Sequence, residues 1–330
     1  MRIALIAGGL RPIPPDGWGA VENIIWNYKQ YLERLGHTVD IHNTFVYQEI
    51  ICAIHSNYYD FVHTHYDPFC LPLNKHLEQV YCATTHSGHI QSYIKGIDDH
   101  CFDISLQDML EAPGLIVLSD TIKQLFLDKG YKNFLHVQRN AVEANNFRFQ
   151  RHGNGKAICL GKIETRKRQA ELARLVADRV AVDFVGPFDT KRAPDFHENG
   201  TCHYAGSWSK DEVYNRLTEY SCLVLLSESE AAPLVVLEAL AAGLSVVVTE
   251  SASANLTNEK FITVITDGSK NAEFISNAIQ SAIDRNNDCR QEIRSYAFDR
   301  FDYSVMVKDY ERIIHEFRDY YPCQKSRLRS

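Results

Sequence analysis

The sequence predicts an α/β protein built from two doubly wound domains, each with a parallel sheet between layers of helices. Short apolar runs rich in Val, Ile and Leu alternate with amphipathic, helix-like segments along the whole chain, a pattern typical of buried parallel strands joined by helices. A length of 330 residues suits two domains of ordinary size. The content of 45% hydrophobic and 23% charged residues is that of a globular protein.

The first half of the chain begins with a strand, a long loop and a helix. Predicted strands lie at 2–7, 38–43, 60–65, 80–85, 115–119 and 134–138. The first helix starts near Ala20, keeps apolar residues at helical spacing and ends at Gly36. The loop before it lacks the G-x-G-x-x-G pattern of dinucleotide-binding proteins. In one interpretation Gly17 and Gly19 let the backbone approach a ligand; in the other the loop is an unusually long turn.

The second half repeats the alternation after a polar, glycine-containing segment at 150–155, which we predict to be the linker. Predicted strands lie at 157–161, 181–185, 222–226, 244–249 and 261–265, and the last predicted helices at 271–285, 290–301 and 303–320. Ser209 to Glu212 (S-K-D-E) forms a predicted capping box at a helix start.

Residues 221–250 form a strand–loop–helix–strand unit that we expect to carry the functional site. Glu230 falls in the loop after the first strand, and Glu238 falls within the helix. Pro233 is predicted at the first helical position, which leaves the amides of Leu234 and Val235 free at the positive end of the helix dipole. Such a helix start suits a phosphate, and carboxylates suit sugar hydroxyls beside it. The alternative is that both glutamates are solvated charges.

The stretch E-A-A-P-L-V-V-L-E-A-L-A-A-G resembles the E-x7-E motif of retaining GT-B glycosyltransferases, especially those of family 4. The resemblance implies that Glu230 contacts hydroxyls of the donor sugar and that Glu238 holds the ribose of the nucleotide. It also implies that the amides of Leu234 and Val235 meet the diphosphate. Pro233 stands within a part of the motif where the family often has Gly-Phe-Gly, and it removes one potential phosphate donor.

Two lysines resemble the basic pair of the family segment G-R-L-x-x-x-K-G. Lys162 takes the arginine position and Lys167 keeps the lysine, with the spacing preserved. Fixed cations stabilise the negative charge that grows on a departing diphosphate. Lysine in place of arginine keeps the charge but loses the bidentate fork. We expect Arg166 and Arg168, which flank Lys167, to lie on the surface.

Weaker resemblances occur in the first half. P-P-D-G-W-G-A-V-E, with Gly17 and Gly19, is similar to the glycine-rich loop that the family places near the donor phosphates and acceptor. His86 stands in a T-x-H pattern that implies contact with the donor sugar or ordering of the acceptor; the alternative is a polar loop histidine. His63, His65 and His86 suggest a metal site, but no partner set with zinc spacing accompanies them, so we expect none.

Together these features predict a GT-B protein whose two Rossmann-like domains face each other across a cleft. Residues 1–149 form the predicted acceptor-side domain and 150–302 the nucleotide-sugar domain, with the helix at about 303–320 packing back toward the first. We expect a retaining glycosyltransferase that moves a sugar from a nucleotide diphosphate sugar, commonly UDP-linked in the family, to a hydroxyl of a glycan or small molecule. The expected catalytic residues are His86, Glu230, Lys162 and Lys167, without a metal or other cofactor. The alternatives are a non-catalytic nucleotide-sugar or glycan-binding protein and a GT-B sugar-nucleotide epimerase.

The charge and the cysteine content of the chain limit the partners and the cellular location that we expect. The formal net charge of −7 argues against nucleic acid. No run approaches the roughly 18 apolar residues of a membrane span, and no basic amphipathic helix offers attraction to anionic lipid. Nine cysteines without a C-x-x-C pair indicate a reducing cytoplasm. The oligomeric state stays open.

Overall fold

The computed structural model describes residues 1–94, 96, 100–188, 191, 193 and 195–322. The chain divides into two compact units, the first formed by residues 1–140 with the segment from Tyr303 onward, the second by residues 141–302. Each unit has one six-stranded sheet, and every strand pairing within the two sheets is parallel. The predicted α/β class, with two doubly wound sheets, is confirmed.

The first unit orders its strands β2-β1-β3-β4-β5-β6. These strands are β1 (Arg2–Ala7), β2 (Thr38–Asn43), β3 (Phe61–Thr64), β4 (Cys82–Ala83), β5 (Gly114–Val117) and β6 (Phe134–Val137). The helices among them are α1 (Ala20–Arg34), α2 (Tyr47–Ser56), α3 (Cys70–His76), α4 (His89–Ile94), α5 (His100–Leu110) and α6 (Asp120–Asp128). The chain reverses its direction of travel between β1 and β3, so loops that follow these neighbouring strands open a crevice at their carboxyl ends.

The second unit orders its strands β12-β11-β10-β7-β8-β9. These strands are β7 (Ala157–Leu160), β8 (Val182–Val185), β9 (Cys202–Tyr204), β10 (Cys222–Leu225), β11 (Ser245–Thr249) and β12 (Ile262–Ile265). The helices are α7 (Gln169–Val176), α8 (Lys210–Arg216), α9 (Leu234–Ala241) and α10 (Ala272–Phe301). This order is that of a Rossmann sheet, and its topological switch point lies between β7 and β10.

The last helix, α11 (Tyr303–Tyr320), belongs to the first unit. Its stripe of apolar residues is buried, and Tyr310 bonds His63 Nδ1 on β3 at 2.6 Å. Phe317 packs edge to face on Phe61 and on Phe134, with ring centroids 5.4 and 5.1 Å apart. Burial of this stripe drives the packing of α11 against the sheet.

Residues 141–149, which we expected in the first domain, lie in the second unit. Phe147 packs edge to face on Tyr214, with centroids 4.9 Å apart. The following segment, 150–155, is held by Arg290, whose Nε donates to the Gln150 carbonyl at 2.9 Å. The Arg290 guanidinium is 1% exposed and also donates to the carbonyls of Thr218 and Tyr220. These contacts fasten the predicted linker to α10.

The helices predicted at 271–285 and 290–301 are one continuous helix, α10, of 30 residues. Asn286, at the expected break, is fully buried and donates from Nδ2 to the Gly243 carbonyl at 2.9 Å. That tertiary bond outweighs the modest helix propensity of asparagine. Among the described residues, no helix is both long and apolar enough to cross a bilayer.

Candidate functional site

The switch point of the second unit brings two loops together. One follows β7 and carries Lys162 and Lys167; the other follows β10 and carries Glu230. Because β7 and β10 are paired neighbours whose connections leave in opposite directions, their carboxyl ends open on one crevice. The structure thus places Lys167 Nζ 3.3 Å from Glu230 Oε1. These residues lie 63 positions apart in the chain (230 − 167).

Glu230 is only 8% exposed, and one of its oxygens takes all of its contacts. Oε1 accepts a hydrogen bond from Ser227 Oγ at 2.8 Å. It also forms ion pairs with Arg166 Nη1, at 3.2 Å, and with the Lys167 ammonium. Oε2 has no hydrogen bond or ion pair with any residue that the structure describes. A carboxylate has about four acceptor positions, so Glu230 keeps an oxygen for a ligand hydroxyl.

The charge of Glu230 follows from its neighbours. Burial on its own raises the pKa of the Glu230 carboxyl, but the ammonium of Lys167 and the guanidinium of Arg166 outweigh burial and lower it. Glu230 is therefore ionised at neutral pH. An ionised carboxylate only accepts hydrogen bonds, which suits a partner that donates, such as a hydroxyl.

Arg166 and Arg168 were expected on the surface, and this prediction is wrong. Arg166 is half-buried, donates from Nη1 to the Ser229 carbonyl and from Nη2 to Glu164 Oε1 at 2.7 Å. It therefore ties the loop after β7 to the loop after β10. Arg168 is 5% exposed and donates from Nε to Glu171 at 2.6 Å. Arg168 also donates from Nη2 to the Ser269 carbonyl at 2.9 Å. The distant partners Ser229 and Ser269 are not visible in the local sequence, which is why sequence analysis missed both burials.

Gly161, at the end of β7, makes room for Lys167. It has a φ of 140°, and a Cβ there would lie 3.3 Å from the Lys167 ammonium. The loop is braced further along by Gln169, which donates from Nε2 to the Lys162 carbonyl at 2.8 Å. The Lys162 ammonium forms no hydrogen bond or ion pair within the described part of the chain. No described residue therefore neutralises its charge.

The start of α9 differs from the prediction by one position. Pro233 is the N-cap, with φ −71° and ψ 117°, rather than the first helical residue. Leu234 and Val235 are the first two residues, both partly exposed, and no side chain caps the helix. Val236 already bonds the Pro233 carbonyl at 3.3 Å. Helix geometry leaves the amides of Leu234 and Val235 without intrahelical partners, as the predicted phosphate contact requires.

Glu238 is paired with a lysine that the sequence analysis did not single out. Lys210, the first residue of α8, forms an ion pair with Glu238 Oε1 and lies 5.0 Å from the centre of the Tyr214 ring. Burial on its own lowers the pKa of the Lys210 ammonium, but Glu238 outweighs burial and raises it. The predicted capping box of Ser209 and Glu212 is confirmed and fixes the start of α8. The only sequence signal for Lys210 was its place inside that box.

In the first unit, the expected site residues follow β1 and β4. Gly19 is the N-cap of α1, and a Cβ there would lie 2.9 Å from Glu22 Oε2, whereas a Cβ at Gly17 would meet nothing within 4 Å. His86 is partly buried, and its Nε2 lies 3.1 Å from His65 Nδ1. Their roles toward a ligand stay predictions.

His63 and His65 lie beside each other on the first sheet, with ring centroids 4.1 Å apart. Both nitrogens of His63 are already hydrogen-bonded, to Tyr310 and to Thr84. Within the described residues, no group of three or more His, Cys, Asp or Glu side chains is arranged to hold a metal ion.

Two Rossmann-like units, each with a six-stranded parallel sheet, make up the chain, and cations and a carboxylate lie at the switch point of the second. Residues 143–300 match the family model described as "Glycosyl transferases group 1". This segment is nearly the whole second unit, and its match confirms the predicted resemblance to GT-B glycosyltransferases. No curated protein matches the sequence significantly.

Solved structures share the fold over almost the entire chain. Sucrose-phosphate synthase from Thermosynechococcus elongatus aligns with a TM-score of 0.76 at 15% identity, covering 96% of this chain and 98% of that chain. HepE from Anabaena, in complex with UDP and glucose, aligns at 0.71 and 14% identity, covering 96% and 100%. A glycosyltransferase from Rickettsia africae ESF-5 aligns at 0.68 and 16% identity, covering 96% and 98%. At these identities the similarity establishes the GT-B fold.

Proposed function

We propose that the protein is a retaining glycosyltransferase that moves a sugar from a UDP-linked donor to a hydroxyl of a glycan or small molecule. The observation that carries the proposal is the contact of Lys167 and Arg166 with Glu230 at the switch point, directly before the uncapped start of α9. Cations, a hydroxyl-accepting carboxylate and free helix amides together match a sugar diphosphate. The UDP and glucose bound to HepE support this choice of donor. In this proposal the second unit is the donor side and the first unit the acceptor side.

Each donor-side residue has a distinct role in the proposal. Lys162, Lys167 and the amides of Leu234 and Val235 stabilise the diphosphate as negative charge develops on it. Glu230 accepts a hydroxyl of the donor sugar at Oε2, which has no contact with the described residues. Lys167 has three N–H donors, so one bond to Glu230 leaves donors for phosphate oxygens.

Glu238 accepts the ribose hydroxyls in the same way. Its Oε1 is engaged by Lys210, and a carboxylate has further acceptor positions. Lys210 supplies the opposite charge beside Glu238, which is only 8% exposed.

The proposed reaction breaks the bond between the sugar C1 and the diphosphate oxygen and forms a bond from C1 to the acceptor oxygen on the same face. The acceptor oxygen attacks C1 directly, so no enzymic nucleophile is assigned. Its proton passes to the leaving phosphate. Lysines and helix amides offset the charge on the leaving group, and we propose that no metal ion is required. Transfer that continues undiminished in excess EDTA would support this point, and loss that added Mg²⁺ restores would refute it.

The experiment that tests the function measures nucleotide release from UDP-sugars with and without acceptor hydroxyls. A thermal-shift screen of nucleoside diphosphates identifies the donor first, since a ligand at 100 times its Kd adds about 2.7 kcal/mol. Acceptor-dependent release that Glu230→Gln abolishes is the expected result. Binding without turnover would indicate a binding protein, and conversion of the sugar nucleotide without acceptor would indicate an epimerase.

We also propose a cytoplasmic location. The cysteines at 52, 70, 82, 159, 202, 222 and 289 are all free, as is usual in a reducing compartment. This proposal predicts that the protein keeps its activity when it is stored in a thiol reductant.

A further inference from the structure

The side chains of His65 and His86 form one hydrogen bond at the carboxyl ends of β3 and β4. His65 Nδ1 lies 3.1 Å from His86 Nε2, and the two rings stack with centroids 5.4 Å apart. A neutral imidazole donates from one nitrogen and accepts at the other. Either His65 donates to His86 or His86 donates to His65, and each choice fixes the tautomer of both rings.

The neighbouring His63 has no hydrogen to spare for this pair. Thr84 donates its hydroxyl hydrogen to the Ile116 carbonyl at 2.5 Å, so at the 2.8 Å contact with His63 Nε2 the Thr84 oxygen must accept. His63 therefore carries its hydrogen on Nε2, and its Nδ1 accepts from the Tyr310 hydroxyl at 2.6 Å. Both of its nitrogens are committed.

The surroundings of His65 decide the direction of the shared bond. His65 is 4% exposed, and its Nε2 is buried with no hydrogen-bond partner in the described chain. If His86 donated, His65 would carry its hydrogen on Nε2 and bury an N–H group without an acceptor. Orphaned buried N–H groups are rare because the full desolvation cost is unrecovered. If His65 donates from Nδ1, only a lone pair stays unpaired.

We infer that His65 is a positioning residue that donates Nδ1–H to His86 Nε2 and holds His86 as the neutral Nδ1–H tautomer. Burial supports the neutral state, because it lowers the pKa of His86 to about 4 and that of His63 to about 3. His86 Nδ1 has no hydrogen bond within the described residues. His86 thus offers an N–H donor, whose partner is a hydroxyl oxygen of a sugar substrate. The identity of that partner rests on the proposed function, whereas the tautomer does not.

The test is NMR of the full chain with ¹⁵N-labelled histidine at pH 7, using long-range ¹H–¹⁵N spectra that distinguish the two tautomers. The His86 signals are assigned by their absence from His86→Gln. We expect His86 to carry its hydrogen on Nδ1 in the unmodified protein. Finding the hydrogen on Nε2 of His86 overturns the inference, and this measurement needs no variant of His65.

Two variants separate positioning from packing. His65→Gln keeps an amide donor and is expected to keep the Nδ1–H tautomer, whereas His65→Phe fills the space without a donor and should leave His86 as a mixture. An unchanged tautomer in a folded His65→Phe protein contradicts the inference. In the transfer assay, His65→Phe should lower kcat/KM roughly three- to tenfold, the value of one neutral hydrogen bond, with UDP affinity unchanged and His65→Gln restoring activity. If the protein transfers no sugar, the proposed function fails while the NMR result still decides the tautomer.

Discussion

In the second unit the crevice at the switch point contains ionised groups, whereas the corresponding strand ends of the first unit carry neutral histidines. Lys167 and Arg166 surround Glu230, whereas the side chains of His65 and His86 hydrogen-bond only to each other among the described residues. Both sets stand at the carboxyl ends of parallel strands, where doubly wound sheets bind ligands.

The difference lies in the charge of the groups at the strand ends. Buried charges persist only when they are paired, so the second unit holds Arg166 and Lys167 against Glu230. A neutral imidazole instead matches a hydroxyl, whose charge does not change on binding. In the proposed function, the phosphate contacts therefore belong to the second unit, and the first unit adds the N–H donor of His86 for a sugar hydroxyl.

The largest test of this comparison removes a cation. Lys167→Met should lower the rate of nucleotide release about 100- to 1,000-fold, because one charge that stabilises the leaving diphosphate is lost. The matched control is Lys260→Met, which breaks an exposed ion pair with Glu292 and should leave the rate unchanged. Full activity of the Lys167→Met protein would show that the diphosphate does not bind in this crevice.

Acid should weaken the first unit before the second. The folded-state pKa of His86 is about 4 and that of His63 about 3, below the ordinary histidine value of about 6.5. The unfolded chain therefore binds protons first, and stability is lost as pH falls from about 6.5 toward 3, on the order of a few kcal/mol. The lowered pKa of Glu230 gives stability that persists until the pH falls below its ordinary range of about 4.

Hydrogen exchange followed by mass spectrometry at pH 7 and about pH 5, corrected for intrinsic exchange rates, measures both units separately. Peptides covering β3 and β4 should lose protection at the lower pH, while those covering β10 and β11 keep it. The reverse order would show that buried histidines do not set the acid stability of the first unit.

A smaller effect is expected at the ion pair of Lys210 and Glu238. Lys210→Met removes the ion-pair partner of Glu238 and should weaken UDP binding about tenfold in calorimetry. Lys210→Arg keeps the charge and should retain most of the affinity. Arg216→Met, at the other end of α8, is the control. If Lys210→Met and the unmodified protein bind UDP with equal affinity, the pair of Lys210 and Glu238 takes no part in nucleotide binding.

The smallest test concerns the room that Gly161 leaves for Lys167. Gly161→Ala and Gly155→Ala both place alanine where φ is positive, 140° and 75°, and each should cost about 1 kcal/mol of unfolding free energy. Only the Cβ at Gly161 approaches Lys167, at 3.3 Å; at Gly155 nothing lies within 4 Å. Gly161→Ala alone should therefore also weaken donor binding. Equal donor affinity in the two variants would show that Lys167 tolerates the crowding.

Much of the fold was predictable because periodicity is local. Buried strands appear as short apolar runs, and the stripe on α11 repeats at helical spacing, so both are visible within a window of about 11 to 18 residues. The capping box of Ser209 and Glu212 is equally local. The break predicted between 285 and 290 was wrong, and the bond of Asn286 to Gly243 that helps to hold the continuous helix reaches 43 residues along the chain.

By itself, the sequence determined the alternation of strands and helices, and hence that Glu230 follows a strand while Glu238 lies on a helix. Only the tertiary structure decided their partners. Arg166 is half-buried and links two loops, and Lys210 pairs with Glu238, which lies 28 residues away in the chain. The physical reason is range: backbone geometry and burial follow from near neighbours in the chain, whereas a buried charge is stabilised by whichever opposite charge the fold brings beside it.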